Sequence, residues 1–210
     1  MEARQDRIKW IYASRNNKEL LDRYDQWARE YDADLDEWFG YIAPRRAVGF
    51  FTRYVPQEAR ILDAGAGTGM VGSLLTRSGY SNLVAVDLSL GMLEEARKKN
   101  VYHECHQMVM GEPLGFATDS FDAVICVGVL TLGHAKADSF DELIRVTRPG
   151  GHIVFSLRPD LYQGAGFKEK QGALEAVRKW QMVEVSEEFQ PTPKGEPDTL
   201  YQIWVYQVIS

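Results

Sequence analysis

Hydrophobic positions repeat at helical spacing in the first quarter of the chain and follow a different pattern after it. Apolar residues three or four positions apart predict helices before residue 56, and Pro44 suits the first turn of one of them. From residue 60 onward, short apolar runs alternate with amphipathic segments. This alternation is typical of βαβ units, in which helices connect parallel strands.

The boundaries of the expected elements follow from the turn signals between the runs. Strands are predicted at 60–63, 82–87, 106–110, 121–129, 152–157, 182–189 and 201–208. Helices are predicted at 69–78, 92–99 and 138–146, and segment 168–180 is also amphipathic. The strand at 121–129 is apolar along most of its length, which fits a sheet covered on both faces.

These elements predict an α/β, doubly wound, Rossmann-like fold with a mostly parallel seven-stranded sheet. The last two strands are joined by a loop containing proline and glycine that allows a hairpin, so an antiparallel edge strand is expected. Residues 1–56 are expected to form a helical lid, and residues 57–210 the core domain. Ligands of such folds bind at the carboxyl ends of the strands.

Composition narrows the possible functions. The 210 residues are 45% hydrophobic and carry a net charge of -6 without a basic block, which argues against nucleic acid as a partner. No apolar run approaches the ~20 residues of a membrane helix. The two cysteines, Cys105 and Cys126, fit a reducing cytoplasm, which is the expected location. No metal site is expected, because the cluster of His103, Cys105 and His106 lacks a fourth ligand.

The most informative segment is a glycine-rich turn at 63–69, placed between a strand and a helix. Gly65, Gly67 and Gly69 let the backbone turn tightly and let a ligand approach without a Cβ in its way. Asp63 precedes the glycines, and Asp87 follows at the tip of the next strand, where its carboxylate can accept both hydroxyls of a ribose. The turn therefore predicts a nucleoside-containing ligand.

Two cofactors compete for this turn. Residues 67–72 formally match the dinucleotide pattern G-x-G-x-x-G, which favours NAD. Asp63 opposes that interpretation, because a carboxylate there would repel a pyrophosphate and attract an ammonium group. A ligand with adenosine at one end and an α-amino acid at the other satisfies both carboxylates, and S-adenosylmethionine is such a ligand.

Four segments in order resemble the class I S-adenosylmethionine-dependent methyltransferases. Within that superfamily, segments 24–28 and 31–32 are similar to the methyltransferase-like family named for the Williams–Beuren syndrome critical region. The four segments are Asp63-Ala64-Gly65-Ala66-Gly67-Thr68-Gly69, Val86-Asp87-Leu88-Ser89 followed by Met92-Leu93, Asp119-Ser120-Phe121-Asp122-Ala123-Val124, and Glu142-Leu143 to Arg148-Pro149-Gly150-Gly151-His152.

The resemblance implies a set of contacts with the methionine part of the cofactor. Gly65, Ala66 and Gly67 would line that part, and Asp63 would face its ammonium group directly or through water. Val127, at the end of the fourth strand, would form the floor beneath it. S-adenosylhomocysteine would be the product of methyl transfer.

The resemblance also implies contacts with the adenosine. Asp87 would hold the ribose hydroxyls, and Leu88 and Met92 would lie on either side of the adenine. Members of the superfamily usually carry an acidic residue for the adenine amino group where this chain has Met110. Segment Gly111-Glu112 therefore has to supply that contact, through the Glu112 side chain or a backbone N–H.

Four further residues have two open interpretations each. Tyr24 and Tyr31 could close over the ligand from the lid, or only pack at helical spacing. His134 follows the fourth strand and could take a proton from an acceptor, or lie in the loop without a role. Arg158 ends the fifth strand and could anchor an acidic substrate, or merely pair with Asp160.

The expected activity is methyl transfer to a small-molecule acceptor by in-line displacement. No Asn/Asp-Pro-Pro-aromatic signature follows the fourth strand, which sets aside one group of nucleic-acid and glutamine methyltransferases. An aromatic-rich lid suits an apolar or aromatic acceptor. A protein or peptide methyltransferase and a non-catalytic S-adenosylmethionine-binding protein stay as alternatives, and the oligomeric state is open.

Overall fold

The computed structural model describes residues 7–131, 134–196 and 198–210. Helices and strands alternate after a helical N-terminal segment. The helices are α1 (Arg7–Tyr12), α2 (Asn17–Asp34), a π-helical turn (Leu35–Phe39), α3 (Ala43–Phe51), α4 (Met70–Arg77), α5 (Leu90–Lys98), α6 (Ser139–Val146), α7 (Pro159–Gly164) and α8 (Phe167–Ala176). The strands are β1 (Ile61–Ala64), β2 (Leu83–Asp87), β3 (Glu104–Gln107), β4 (Phe121–Leu130), β5 (Thr147–Leu157), β6 (Trp180–Val185) and β7 (Gln202–Val208).

The strands form one seven-stranded sheet in the order β3-β2-β1-β4-β5-β7-β6. The first five of these strands are parallel, whereas β7 runs antiparallel to both β5 and β6. The predicted α/β class with a mostly parallel seven-stranded sheet is confirmed. The antiparallel strand β7 lies one place in from the edge, and β6 forms the edge itself.

The sheet is covered on both faces, because alternate residues of the central strands point to opposite sides. Leu62 and Val124 belong to the core on the face of α6 and α8. Ile61 and Ala123 belong to the core on the face of α3 and α4. All four side chains are at most 1% exposed, so the carboxyl ends of these strands are held on a rigid platform.

Several predicted boundaries differ from the structure, and β5 begins at Thr147 rather than at residue 152. The third strand was expected at 106–110, but β3 is Glu104–Gln107, a largely polar edge strand without the apolar alternation that marks a strand. The amphipathic segment 168–180 contains a helix that ends at Ala176, because Arg178 adopts a positive φ of 56°. Trp180 instead begins β6 and stacks on Tyr206, with ring centroids 4.0 Å apart.

The N-terminal helices pack over the carboxyl end of the sheet. Leu20 and Trp27 of α2 are buried in a cluster that also includes Phe39. Leu88, directly after β2, packs against the same cluster. This contact places one face of α2 above the β2–α5 loop. Within the described residues, no helix is both long enough and apolar enough to cross a membrane.

Candidate functional site

A cleft opens at the carboxyl ends of β1, β2 and β4, beneath α2. It contains about 690 Å³ of empty space, part of it open to solvent. The residues lining it come from six parts of the chain. They are Asn17, Leu20, Tyr24, Tyr31, Gly65, Gly67, Asp87, Leu88, Met92, Val109, Met110, Val127, Gly128, Val129, His134 and Ala135.

The glycine turn after β1 needs glycine for two different reasons. Gly65 has a φ of +83°, and a Cβ there would lie 2.1 Å from Val129 Cγ2, so close packing excludes a side chain. Gly67 has a φ of +54°, but a Cβ there would meet no protein atom within 4 Å. The space in front of Gly67 is therefore part of the cleft, and a ligand can approach the protein backbone closely there.

Asp87 ends β2 and is held by two backbone N–H groups. Gly67 donates its N–H to Asp87 Oδ2 at 2.8 Å, and Ser89 donates its N–H to Oδ1 at 2.9 Å. Burial raises the pKa of Asp87 to about 6, and these hydrogen bonds oppose the rise. Each carboxylate oxygen retains a lone pair, so the group can still accept hydrogen bonds from a ligand in the cleft.

Asp63 lies behind the glycine turn and does not line the cleft. Its side chain is fully buried, and Tyr102 donates its hydroxyl to Asp63 Oδ2 at 2.5 Å. Tyr102 in turn accepts the N–H of Gly72 at 3.1 Å, while Asp63 Oδ1 has no partner among the described residues. Burial raises the pKa of Asp63 to about 7.

The raised pKa of Asp63 predicts a pH-dependent penalty on stability. The native state binds this proton up to about pH 7, whereas the unfolded chain releases it near pH 3.8, so native stability falls as pH rises between the two values. Asp63→Asn removes this titration and keeps an acceptor for Tyr102. We expect the variant to have the higher Tm at pH 8 and the advantage to disappear near pH 4.

The measurement is thermal unfolding of the ligand-free protein across that pH range. Glu188→Asn is the matched control, because Glu188 is an exposed carboxylate far along the chain from the turn. The control should follow the wild-type curve at every pH. A Tm difference for Asp63→Asn that stays constant from pH 4 to pH 8 would contradict the assigned pKa.

His134 and two tyrosines of α2 meet at the wall of the cleft. Tyr24 Oη and His134 Nε2 are 2.8 Å apart, a hydrogen bond that joins residues 110 positions apart in the chain. Tyr24 and Tyr31 pack edge to face, with ring centroids 6.3 Å apart. Burial raises the pKa of both tyrosines well above its ordinary value, so their hydroxyls stay protonated.

The structure brings nine of the proposed site residues together around the cleft and leaves five outside its lining. The nine are Tyr24, Tyr31, Gly65, Gly67, Asp87, Leu88, Met92, Val127 and His134. The five are Asp63, Ala66, Gly111, Glu112 and Arg158. Arg158 forms a two-point hydrogen-bonded pair with Asp160, at 2.9 and 2.8 Å.

Several lining residues were not expected from the sequence. Val109 and Met110 were assigned to a strand, yet they lie after β3 and face the cleft where Glu112 was expected. Asn17 and Leu20 come from the first turn of α2, and only the packing of that helix over the sheet places them here. The sequence signal for Val109 and Met110 was the apolar run 108–110, which directly follows the polar strand β3.

Two carboxylates connect helix α2 to both loops of the cleft. Asp25 Oδ1 accepts the Gly91 N–H at 2.8 Å and the Ser89 hydroxyl at 2.5 Å, which holds the β2–α5 loop. Asp32 accepts hydrogen bonds from the Thr68 hydroxyl and from Lys99 Nζ, which holds the glycine turn. We refer to Asp25 and Asp32 with these partners as the α2 clamp.

The described residues contain no group of three or more His, Cys, Asp or Glu side chains arranged to hold a metal ion. The cleft offers a ligand a carboxylate, an imidazole, backbone N–H groups and apolar walls. These groups suit a ligand that carries hydroxyls on one side and an apolar or aromatic ring on the other.

Comparison with known proteins shows a similarity to methyltransferases. A family model for a methyltransferase domain matches residues 62–155. The chain is 40% identical over 139 residues to methyltransferase-like protein 27 from Homo sapiens, covering 64% of this chain and 56% of that protein. It is 42% identical over 98 residues to demethylmenaquinone methyltransferase from Clavibacter sepedonicus, covering 45% of this chain and 39% of the relative.

A solved structure shows the same fold. The S-adenosylmethionine-dependent methyltransferase from Mesorhizobium loti matches with a TM-score of 0.58 at 18% identity, over 76% of this chain and 96% of that one. The chain spans 56% of the human relative and 39% of the Clavibacter relative. The matched segment holds the glycine turn, Asp87 and β4, so this part of the chain is similar to the methyltransferase domains of known methyltransferases.

Proposed function

We propose that the protein transfers a methyl group from S-adenosylmethionine to a small-molecule acceptor. The observation that carries this proposal is one cleft lined jointly by Gly67, Asp87 and His134. Open space in front of Gly67 fits the methionine part of the cofactor, and Asp87 at the tip of β2 fits its ribose. His134 supplies an imidazole on the opposite wall.

The lining supports a direction for the bound cofactor. Gly65, Gly67 and Val127 would contact the methionine part, as the resemblance implies. Leu88 and Met92 would enclose the adenine, with Asp87 on the ribose. Val109 and Met110 lie where a contact to the adenine edge is needed, so we propose them for that position ahead of Gly111 and Glu112, which stay outside the lining.

Methyl transfer from S-adenosylmethionine requires little covalent chemistry from the protein itself. Bound S-adenosylmethionine supplies an activated methyl group, and the chain contributes position, since alignment of reacting atoms can provide an effective molarity of ~10⁵ M or more. The His134 imidazole is the candidate group to hold a proton released by the acceptor, and the hydrogen bond between its Nε2 and Tyr24 Oη orients the ring. The walls formed by Tyr24 and Tyr31 exclude water from the reacting atoms.

A small acceptor is favoured over a protein or peptide by the shape of the cleft. The N-terminal helices cover the carboxyl edge of the sheet, so we propose that residues up to 56 act as a lid over the core domain. The Clavibacter relative is named for demethylmenaquinone, which is not a protein or peptide. Arg158, held by Asp160, is proposed to contact a substrate only at the margin of the site.

The α2 clamp predicts that the lid controls the exchange of cofactor. Asp25→Asn replaces the carboxylate that holds Ser89 and Gly91, and the loss of a charged acceptor should speed dissociation of S-adenosylhomocysteine roughly tenfold or more, equivalent to ~1.5–3 kcal/mol. Chasing bound radiolabelled S-adenosylhomocysteine with an excess of unlabelled ligand measures this rate. Asp22→Asn, an exposed carboxylate on the same helix, should leave it unchanged. Equal rates in both variants would contradict the clamp.

Calorimetric titration with S-adenosylmethionine, S-adenosylhomocysteine and NAD tests the proposed function first. We expect both adenosyl ligands to bind in the micromolar range and NAD to give no heat. Binding of NAD alone would overturn the proposal. Tight adenosyl binding without turnover on any small-molecule or peptide acceptor would instead favour the non-catalytic alternative.

A further inference from the structure

A second cavity adjoins the cofactor cleft and shares part of its wall. Tyr24, Tyr31 and Gly128 line both spaces, so the two meet at the carboxyl end of β4. The second cavity encloses about 530 Å³, part of it open to solvent.

Aromatic rings form much of this lining. Tyr12, Trp27, Tyr41 and Tyr201 join the two shared tyrosines around the cavity. Burial raises the pKa of Tyr41 and Tyr201 well above its ordinary value, so these rings are neutral phenols. The faces of neutral aromatic rings attract cations through their quadrupole.

The cavity holds one acidic side chain and no basic one among its described lining residues. Glu196 is partly buried there, and it forms no hydrogen bond or ion pair through its carboxylate with the residues that the structure describes. The charges of Arg158 and Lys9 oppose the rise that burial causes in the pKa of Glu196, and the Arg158 guanidinium is hydrogen-bonded to Asp160. The Glu196 carboxylate therefore lies among aromatic rings with no hydrogen-bonded cation among the described residues.

Two buried hydroxyls add a second, independent sign of a ligand. Thr131 and Thr192 are 6% and 5% exposed, line the cavity, and have oxygen atoms without a hydrogen-bond partner among the described residues. Thr131 lies near the Tyr12 and Tyr201 hydroxyls but makes no hydrogen bond of normal geometry with them. Buried hydroxyls without partners are costly unless something else satisfies them.

We propose that the methyl acceptor is a small molecule with a protonated amino group, which the second cavity holds between Glu196 and the tyrosine rings. The amino group is a recognition element, and the part of the molecule that receives the methyl group lies at the shared wall of Tyr24, Tyr31 and Gly128. The proposal rests on the proposed function. It adds the chemical class of the acceptor and the residue that selects it.

The first experiment compares amines with alcohols of the same skeleton. The full chain, saturated with S-adenosylhomocysteine, is titrated with phenethylamine, tyramine and hexylamine, and with 2-phenylethanol, tyrosol and hexanol. We expect at least one amine to bind ten or more times more tightly than its alcohol. If no amine exceeds its alcohol counterpart, the proposal is wrong, whereas the binding of S-adenosylhomocysteine in the same cell shows whether the proposed function still stands.

The second experiment removes the charge of Glu196 and keeps its shape. Glu196→Gln should lower the affinity for the preferred amine at least tenfold, to about that of the alcohol, and should leave the affinity for S-adenosylhomocysteine unchanged. Glu188→Gln, an exposed neighbour in the same β6–β7 connection, is the control and should bind the amine normally. Unchanged amine affinity in Glu196→Gln, with thermal unfolding like the wild type, would overturn the assignment.

Discussion

Gly67→Val is expected to abolish the binding of S-adenosylmethionine while the protein still folds. A side chain at this position meets no protein atom within 4 Å, so it enters the cleft and occupies the space proposed for the methionine part of the cofactor. The positive φ of +54° adds a backbone cost of ~1–2 kcal/mol, which lowers the Tm but is small against total stability. Calorimetry gives the affinity, and thermal unfolding reports on the fold.

The control has to separate backbone strain from a filled cleft. Gly166 also has a positive φ, +79°, and a Cβ there likewise meets nothing within 4 Å, but it does not line the cofactor cleft. Gly166→Val should therefore lower the Tm by a similar amount and bind S-adenosylmethionine as the wild type does. Measurable affinity in Gly67→Val would show that the cofactor lies away from this turn.

The central sheet was predictable because its strands are apolar on both faces. The predicted strands 60–63, 82–87 and 121–129 agree with β1, β2 and β4 to within one or two residues. The edge strand β3 was misplaced for the same physical reason. Its residues face solvent and are polar, whereas the apolar pair Val109 and Met110 serves the cleft.

Residues of the site differ in how far sequence alone could place them. Gly65, Gly67 and Asp87 sit on consecutive βα turns, and parallel strands bring such turns to one edge, so their proximity follows from the pattern. The hydrogen bond between Tyr24 and His134 joins residues 110 positions apart. This contact depends on how helix α2 packs over the sheet, and no local sequence pattern encodes that packing.

The charge of Asp63 and Asp87 in the sequence does not show which of the two carboxylates lines the cleft. Both were assigned to the ligand because both are acidic and end a strand. The structure gives them different surroundings, since Asp87 lines the cleft and Asp63 is enclosed behind it with Tyr102. The depth of a side chain beneath a glycine turn depends on the packing of the next helix, which is not visible in the residue type.

Helix α2 connects the two spaces of the site. Its tyrosines line both the cleft and the second cavity, and its carboxylates hold both cofactor loops through the α2 clamp. A movement of α2 that admits the cofactor therefore also opens the wall of the proposed acceptor cavity. Cofactor and acceptor are expected to influence each other's affinity through this helix, and the coupling must be equal in both directions.

Asp87→Ala is expected to weaken S-adenosylmethionine binding by about two to four orders of magnitude. Two charge-assisted hydrogen bonds to the ribose are worth ~1.5–3 kcal/mol each, and ~1.4 kcal/mol corresponds to a factor of ten. Asp122→Ala is the matched control, because Asp122 also accepts a backbone N–H, that of Arg60 at 2.6 Å, but at the opposite end of β4. It should lower stability without changing affinity.

The same carboxylate predicts how binding depends on pH. Burial raises the pKa of Asp87 to about 6, so below that pH the free protein carries a neutral acid in the cleft. A ribose that binds the carboxylate favours the ionised form, and affinity should therefore fall as pH decreases through 6 and level off above it. Asp87→Ala should lose this dependence. A wild-type affinity that stays constant from pH 5 to pH 8, with a normal affinity in Asp87→Ala, would exclude Asp87 from the ribose site.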